Sequence, residues 1–219
     1  MAEDSATCGG DGRLYVIAAP SGAGKTSLVK ALIAADPQLR FSVSYTTRAQ
    51  RPNEVEGRDY HFVTVERFGE MIEHGEFLEH ARVYDNHYGT ALQTVRDALG
   101  RGERLLLEID WQGAGQVRER LPEARSIFVL PPSLATLEER LRGRGTDSDA
   151  VIRRRLREAV ADIGHCGEFD FVVVNDRFDE ALAELREIVA GRGVRLSAGR
   201  PEVRDLIARL TTPGSGRAD

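Results

Sequence analysis

Ala18-Ala19-Pro20-Ser21-Gly22-Ala23-Gly24-Lys25-Thr26-Ser27 is the stretch whose reading decides the fold. It follows an apolar run, Leu14-Tyr15-Val16-Ile17-Ala18, and precedes Leu28-Val29-Lys30-Ala31-Leu32-Ile33, which is apolar at 28, 29, 32 and 33. Strand, glycine-rich turn and helix come in the order that a phosphate-binding loop requires. Backbone N–H groups in such a turn and in the first turn of the helix converge on one spot and attract an anion. Glycines keep Cβ atoms out of the way of an approaching phosphate. Lys25 supplies a point charge for the β- and γ-phosphates of a nucleoside triphosphate, and the Thr26 hydroxyl suits Mg²⁺. The general pattern opens with glycine, where this chain has Ala19.

The rest of the composition is consistent with a soluble α/β body around that loop. The chain has 219 residues, 41% of them hydrophobic and 30% charged, near the upper size of a single domain. No apolar run reaches the ~18 residues of a membrane span. The acidic start, Met1-Ala2-Glu3-Asp4-Ser5, lacks the apolar segment of a secretory signal. Cys8 and Cys166 cannot make a disulfide framework, so a reduced, cytoplasmic chain is expected. A net charge of −5 argues against a protein that coats nucleic acid, and neither nucleic acid nor membrane is expected as a partner. Of thirty basic residues, only Lys25 and Lys30 are lysines. A compact ammonium suits a crowded glycine turn better than a planar guanidinium does.

Residues 1–12 show no periodicity and read as a disordered leader. Ala35-Asp36-Pro37 stops the first helix, and Phe41-Ser42-Val43-Ser44-Tyr45 alternates as a strand. From Thr46 to about Gly89 short alternating pieces such as Tyr60-His61-Phe62-Val63-Thr64-Val65 are divided by turns, with a helical patch that puts Phe68, Met71 and Ile72 on one face. This reads as a small strand-rich insertion. A helix over about 91–101 leads back to the body. Leu105-Leu106-Leu107-Glu108-Ile109-Asp110, Ser126-Ile127-Phe128-Val129-Leu130 and Phe171-Val172-Val173-Val174 are strands apolar on both faces, as in a parallel sheet. Helices are expected over Leu134 to Arg142, about 149–163, and Ala181 to Val189, with a last one marked by Val203, Leu206, Ile207 and Leu210. Strands alternating with helices after a phosphate-binding turn predict a P-loop α/β fold, a parallel sheet flanked by helices.

Three constellations accompany the loop. Arg48 and Arg51, with Tyr60 nearby, could clamp one phosphate through forked bonds or could be solvated surface. Glu79 lies in Phe77-Leu78-Glu79-His80-Ala81, where its neighbours imply partial burial, and a buried carboxylate needs donors. Guanine offers N1–H and N2–H₂, whereas adenine presents an acceptor at N1. Asp110, with Glu108 beside it, stands where open α/β sheets place ligands. A carboxylate there is equally a Mg²⁺-side group or a base reader. Seven arginines (140, 142, 144, 153, 154, 155 and 157) flank Gly143-Arg144-Gly145, which is where a closing lid would bend. For most of them the reading is the solvated face of two helices. The five histidines show no metal-ligand spacing, and Cys166 beside His165 is read as chance.

These motifs fall in the order of a known family. Ala18 through Thr26, Ser44-Tyr45-Thr46-Thr47-Arg48 through Arg51-Pro52, Gly57-Arg58-Asp59-Tyr60, Phe77 through Ala81, Tyr88-Gly89-Thr90, Ile109-Asp110-Trp111-Gln112-Gly113 and Arg140-Leu141-Arg142-Gly143-Arg144-Gly145 together resemble guanylate kinase of the bacterial type, from about Leu14 to Leu210. Many such members open the loop with Ala, as at Ala19.

The resemblance implies ATP-dependent phosphorylation of GMP, and of dGMP, with Mg²⁺. It implies that Arg48, Arg51, Tyr60 and Tyr88 hold the GMP phosphate. Glu79 and Asp110 would accept from guanine N1 and N2, while Ser44 and Thr90 donate to O6. Ala19, Pro20, Ser21, Gly22, Ala23, Gly24, Lys25, Thr26 and Ser27 would bind ATP, with Thr26 on Mg²⁺ and Asn175 at adenine. Lys25, Arg48, Arg140, Arg144 and Arg155 would act on the transferring group. Glu108 stands where the family usually has Asp, and could reach Mg²⁺ through water. The implied division is a core at 13–43, 98–133 and 164–212, a GMP-binding subdomain at 44–97, a helical lid at 134–163 and a tail at 213–219. Two alternatives stand beside it. One is a kinase for another phosphate acceptor, such as adenylate. The other is a guanylate-kinase-like module without catalysis that binds protein partners, although such modules have damaged loops or lids.

Overall fold

The computed structural model describes residues 12–83, 85–143 and 148–212. Most of the expected leader, the tail, and Arg144 with Gly145 of the expected hinge lie outside the described residues. Nine strands and eight α-helices follow in chain order among the described residues. They are β1 (Arg13–Ala18), α1 (Lys25–Ala35), β2 (Leu39–Phe41), β3 (Tyr45–Thr46), β4 (His61–Phe62), α2 (Val65–Glu73), β5 (Phe77–Val83), β6 (Asn86–Ala91) and α3 (Leu92–Gly100). Then come β7 (Arg104–Glu108), α4 (Trp111–Arg120), β8 (Arg125–Leu130), α5 (Leu134–Arg142), α6 (Asp149–Gly164), β9 (Phe171–Val174), α7 (Phe178–Val189) and α8 (Pro201–Thr211).

A five-stranded sheet has the order β2-β7-β1-β8-β9, and a four-stranded sheet the order β4-β3-β6-β5. The first is the parallel sheet flanked by helices that the loop predicts. Its strands are apolar on both faces because both are covered: Leu106, Ile127, Phe128, Val129, Leu130, Val172 and Val173 are each 0% exposed.

The chain divides into two compact units. One takes in Asp36–Leu107 and Gln112–Ala124. Here β2 runs parallel to β7, with Leu39 opposite Arg104 and Phe41 opposite Leu106. The small sheet has Tyr45 of β3 opposite His61 of β4 in parallel, and β6 antiparallel to both β3 and β5. Phe68 and Met71 of α2 pack on Phe77, closed by Tyr45 and Val63. The other unit comprises Val16–Ala35, Glu108–Trp111 and the chain from Arg125 onward. In it β8 and β9 pair in parallel from Ile127 with Phe171 to Leu130 with Val174. Helices α5 and α6 share a core of Leu137, Leu141, Ile152 and Ala159.

Helix starts follow local chemistry. Thr64 caps α2 by accepting from Arg67 N, Ser133 caps α5 by accepting from Thr136 N, and Pro201 opens α8, where a missing N–H costs nothing.

Four sequence expectations need correction. The strand expected over Phe41–Tyr45 is two strands, because Phe41 pairs with β7 while Tyr45 pairs with β4 and β6, and the chain changes sheets at Ser42-Val43-Ser44. The run Tyr60–Val65 keeps only His61–Phe62 as strand, since Thr64 is a cap and Val65 begins α2 with 58% exposure. Ile72 lies at the margin of the face that Phe68 and Met71 bury, and is 37% exposed rather than part of that core. Helix α4 was not anticipated: Gly113 and Gly115 weaken its propensity and its apolar face is short.

Candidate active site

In the unit that carries α1, β1 ends at Ala18 and the chain turns through residues 19–24 before α1 begins at Lys25. Two backbone positions need glycine: Gly22 has φ 92° and Gly24 φ 91°. A Cβ at Gly22 would sit 3.0 Å from Leu137 Cδ1, and one at Gly24 would press on Asn175 Nδ2.

The turn is fastened from outside. Asn175 Nδ2 donates to Ala23 O at 2.7 Å, and Arg140 donates to Asn175 O at 2.9 Å and to Ala23 O at 3.5 Å. Asn175 itself is 4% exposed, fixed by its N–H on Leu130 O. Holding the Ala23 carbonyl on one side turns the next N–H, that of Gly24, to the other. The N–H groups of Lys25, Thr26 and Ser27 open α1 and have no partner within a helix, so the same end gathers donors and the positive pole of the helix.

Two side chains at the start of α1 reach the last residue of β7 and the one after it. Lys25 Nζ donates to Ile109 O at 2.7 Å, and Thr26 Oγ1 donates to Glu108 Oε1 at 2.6 Å. The Glu108 side chain is thus long enough to meet the Thr26 hydroxyl. Asp110 follows directly and is half-buried. Arg155 is half-buried in α6. Among the other arginines of this segment, Arg142 pairs with Glu138 and Asp149, and Arg154 with Glu158, as a solvated face would.

Next to Asp110, Trp111 stacks on His165 with ring centroids 3.4 Å apart and planes 6° from parallel, and its Nε1 donates to Asp162 Oδ1 at 3.1 Å. Nothing in the spacing of residues foreshadows this contact between α4 and the end of α6. It gives His165 a packing role, while burial pushes the adjacent Cys166 thiol up to about 12 and leaves it inert. Burial first, then the charges of Asp110 and Glu158, push the Asp162 carboxyl up to about 6, against the opposing effects of the Trp111 N–H and His165. The folded protein therefore holds this proton more tightly than the unfolded chain does. Its contribution to stability is present below about pH 4 and lost as pH rises through about 6. Asp162→Asn keeps the acceptor for Trp111, so the fall in melting temperature between about pH 5 and pH 7 should be smaller than in the parent protein. Equal slopes in the two melting series would refute the assignment.

In the other unit, Arg48 donates to Glu54 Oε1 and to Ala49 O, both at 2.7 Å. Burial alone would weaken the Arg48 charge, but the Glu54 bond and the fields of Tyr88 and Glu54 outweigh it and hold its pKa above the usual value. Its guanidinium lies 5.4 Å from the Tyr60 ring centroid, and the Tyr60 and Tyr88 rings are 5.9 Å apart. Arg51 is exposed, its backbone N–H on Glu54 Oε2 at 2.9 Å. Arg48, Tyr60 and Tyr88 are thus gathered, with Glu54 occupying the guanidinium.

Glu79 is 2% exposed and accepts a 2.6 Å hydrogen bond from Thr90 Oγ1, the residue opposite it across β5 and β6. Thr90 is 0% and Ser44 8% exposed. A carboxylate this deep is a strong acceptor that has given up its water. Glu54, Gln116 and Arg120 also shape this unit and had not been singled out in the sequence.

Comparisons with known proteins place the chain in a family. A family model described as guanylate kinase matches residues 11–192. The chain belongs to the guanylate kinase family. It is 55% identical over 189 residues to a guanylate kinase of Thiobacillus denitrificans, covering 86% of this chain and 90% of the relative. It is 54% identical over 201 residues to one of Pseudomonas fluorescens, covering 91% and 97%. The solved guanylate kinase of Anaplasma phagocytophilum superposes with a TM-score of 0.68 at 32% identity, covering 92% of this chain and 96% of that one. No helix among the described residues is long and apolar enough to cross a membrane.

Proposed function

We propose that this guanylate kinase family member transfers the γ-phosphoryl group of ATP to GMP, and to dGMP, giving ADP and the corresponding diphosphate in the cytoplasm. The observation that carries the reading is the buried Glu79 carboxylate, oriented by Thr90. It complements the N1–H and N2–H₂ of guanine and repels the N1 acceptor of adenine. Asp110 is the second acceptor for the base and Ser44 donates to O6, while Thr90 keeps its single hydroxyl proton on Glu79. Arg48, Arg51, Tyr60 and Tyr88 hold the GMP phosphate, with Arg48 exchanging Glu54 for it.

The turn from Ala19 to Ser27 binds the phosphates of ATP. Lys25 moves from Ile109 O to the β/γ-phosphates, Asn175 lies on the adenine side with Oδ1 still available, and Arg140, Arg144 and Arg155 act on the transferring group. Among the described residues no group of three or more His, Cys, Asp or Glu could cage a metal. Nucleotide-bound Mg²⁺ needs no cage, because phosphates and waters fill most of its positions. The hard oxygens of Thr26 and Glu108, 2.6 Å apart, fit that demand. Held at Thr26 and Glu108, Mg²⁺ would supply positive charge against the charge of the triphosphate. A GMP phosphate oxygen attacks the γ-phosphorus in line. One P–O bond forms as the bond to the ADP oxygen breaks, so no covalent enzyme intermediate is needed.

A coupled assay offering GMP, dGMP, AMP, CMP and UMP with Mg-ATP tests this. GMP and dGMP should turn over at least about 10²-fold faster than the others. Equal use of AMP would overturn the acceptor assignment, and no transfer to any acceptor would favour the protein-binding alternative.

A further inference from the structure

We propose that Arg120 and Gln116 of α4 are positioning residues for Glu79, setting how strictly the chain selects guanine; this rests on the acceptor reading above. The placement of Glu79 starts from an irregularity in β5. Its pairing with β6 shifts between Phe77 and Glu79: Phe77 faces Ala91 and Glu79 faces Thr90, so Leu78 is an extra residue. Such a bulge bends its strand and re-aims the side chains beside it. Phe77, Leu78 and Glu79 are consequently all buried, at 3%, 1% and 2%, where a regular strand would alternate.

A bulge also breaks the ladder locally and leaves carbonyls without strand partners. Both carbonyls thrown out here go to one guanidinium nitrogen. Arg120 Nη1 donates to Phe77 O at 2.8 Å and to Leu78 O at 2.6 Å. On the other side of Glu79, the Gln116 side chain grips one residue twice: Oε1 accepts from His80 N at 3.1 Å, and Nε2 donates to His80 O at 2.7 Å. β5 is an edge strand of its sheet, and α4 thus covers the edge that no strand covers. The backbone is fixed immediately before and immediately after Glu79, by side chains one helical turn apart.

The opposite strand is shaped to the same feature. A Cβ on Gly89 would lie 2.9 Å from the Phe77 ring and 3.1 Å from Glu79 O, so β6 carries a glycine where the bulge presses on it. A carboxylate 2% exposed has little freedom of its own. Its placement against a base depends on the backbone that carries it, and a misplacement of about 1 Å at a reacting or reading group can cost on the order of 10²-fold.

The test compares Arg120→Met, Arg120→Lys and Gln116→Leu with the parent protein, using GMP and IMP as acceptors. IMP lacks the 2-amino group and so offers Glu79 one donor fewer. In Arg120→Met and Gln116→Leu the KM for GMP should rise about 10-fold or more and the preference for GMP over IMP should shrink, while the KM for ATP stays within about 2-fold. Arg120→Lys should recover part of the preference, since an ammonium can still meet the two carbonyls. Variants that melt lower but keep the parent's KM for GMP and its GMP-to-IMP ratio would overturn the positioning role and leave only a structural brace. If Arg120→Met does not fold, Gln116→Leu decides alone; if neither folds, the clamp is structural and the inference fails. A parent protein that phosphorylates neither acceptor would instead refute the proposed function.

Discussion

Lys25→Met protein should fold as the parent does and transfer phosphoryl groups at least about 10²–10³-fold more slowly. Methionine keeps the apolar stem. The fold would lose one hydrogen bond, from Nζ to Ile109 O at 2.7 Å, an amount near the net value of a single charged bond. Turnover would lose more, because the positive charge matters most as negative charge gathers on the γ-phosphoryl oxygens. The check pairs a circular-dichroism melt with the coupled assay at saturating Mg-ATP and GMP. A folded variant with near-normal turnover would refute the role given to the loop lysine.

Glu79→Ala should abolish the preference for GMP, lowering kcat/KM for GMP by up to about 10⁴ while leaving any slow use of AMP where it was. Deleting the carboxylate also strips Thr90 Oγ1 of its 2.6 Å acceptor and opens space in a site 2% exposed, so some stability is lost as well. Glu79→Gln separates the two effects. The amide fills the same volume and still accepts from Thr90, but it turns an N–H₂ toward guanine N1–H, donor against donor. GMP use should fall in both variants, with the melting temperature nearer the parent's in the second. Equal falls for GMP and AMP would mean that Glu79 does not read the base.

The loop was legible because its meaning is local. Ten consecutive residues from Ala18 to Ser27 carry the strand end, the two left-handed glycines, the lysine and the helix start. The buried strands Leu105–Leu107, Ile127–Leu130 and Phe171–Val174 were legible from unbroken apolar runs. Burial of Glu79 followed from its neighbours, but the role proposed for it rests on the resemblance, since a carboxylate in a strand does not announce its partner. What was not legible depends on contacts far apart in the chain. Asn175 reaches Ala23 across 152 positions, Trp111 reaches Asp162 across 51, and Arg120 reaches Phe77 across 43. No periodicity marks such pairs. The strand at Phe41–Tyr45 misled for a related reason: alternation tells that a segment is extended and is silent on which sheet each half joins. Helix α4 escaped because its glycines and short apolar face carry little signal, although its polar side chains hold β5 in place.

The hydrogen bond from Lys25 to Ile109 O also makes the chain readable by simple chemistry. An amine-acylating reagent meets only two lysine side chains in the whole sequence, Lys25 and Lys30. They lie within one helix, the first half-buried with its ammonium on a carbonyl, the second exposed. Lys30 therefore serves as an internal standard, and the ratio of label on the two residues would gauge the ATP binding proposed for the loop, with neither a mutation nor a dye.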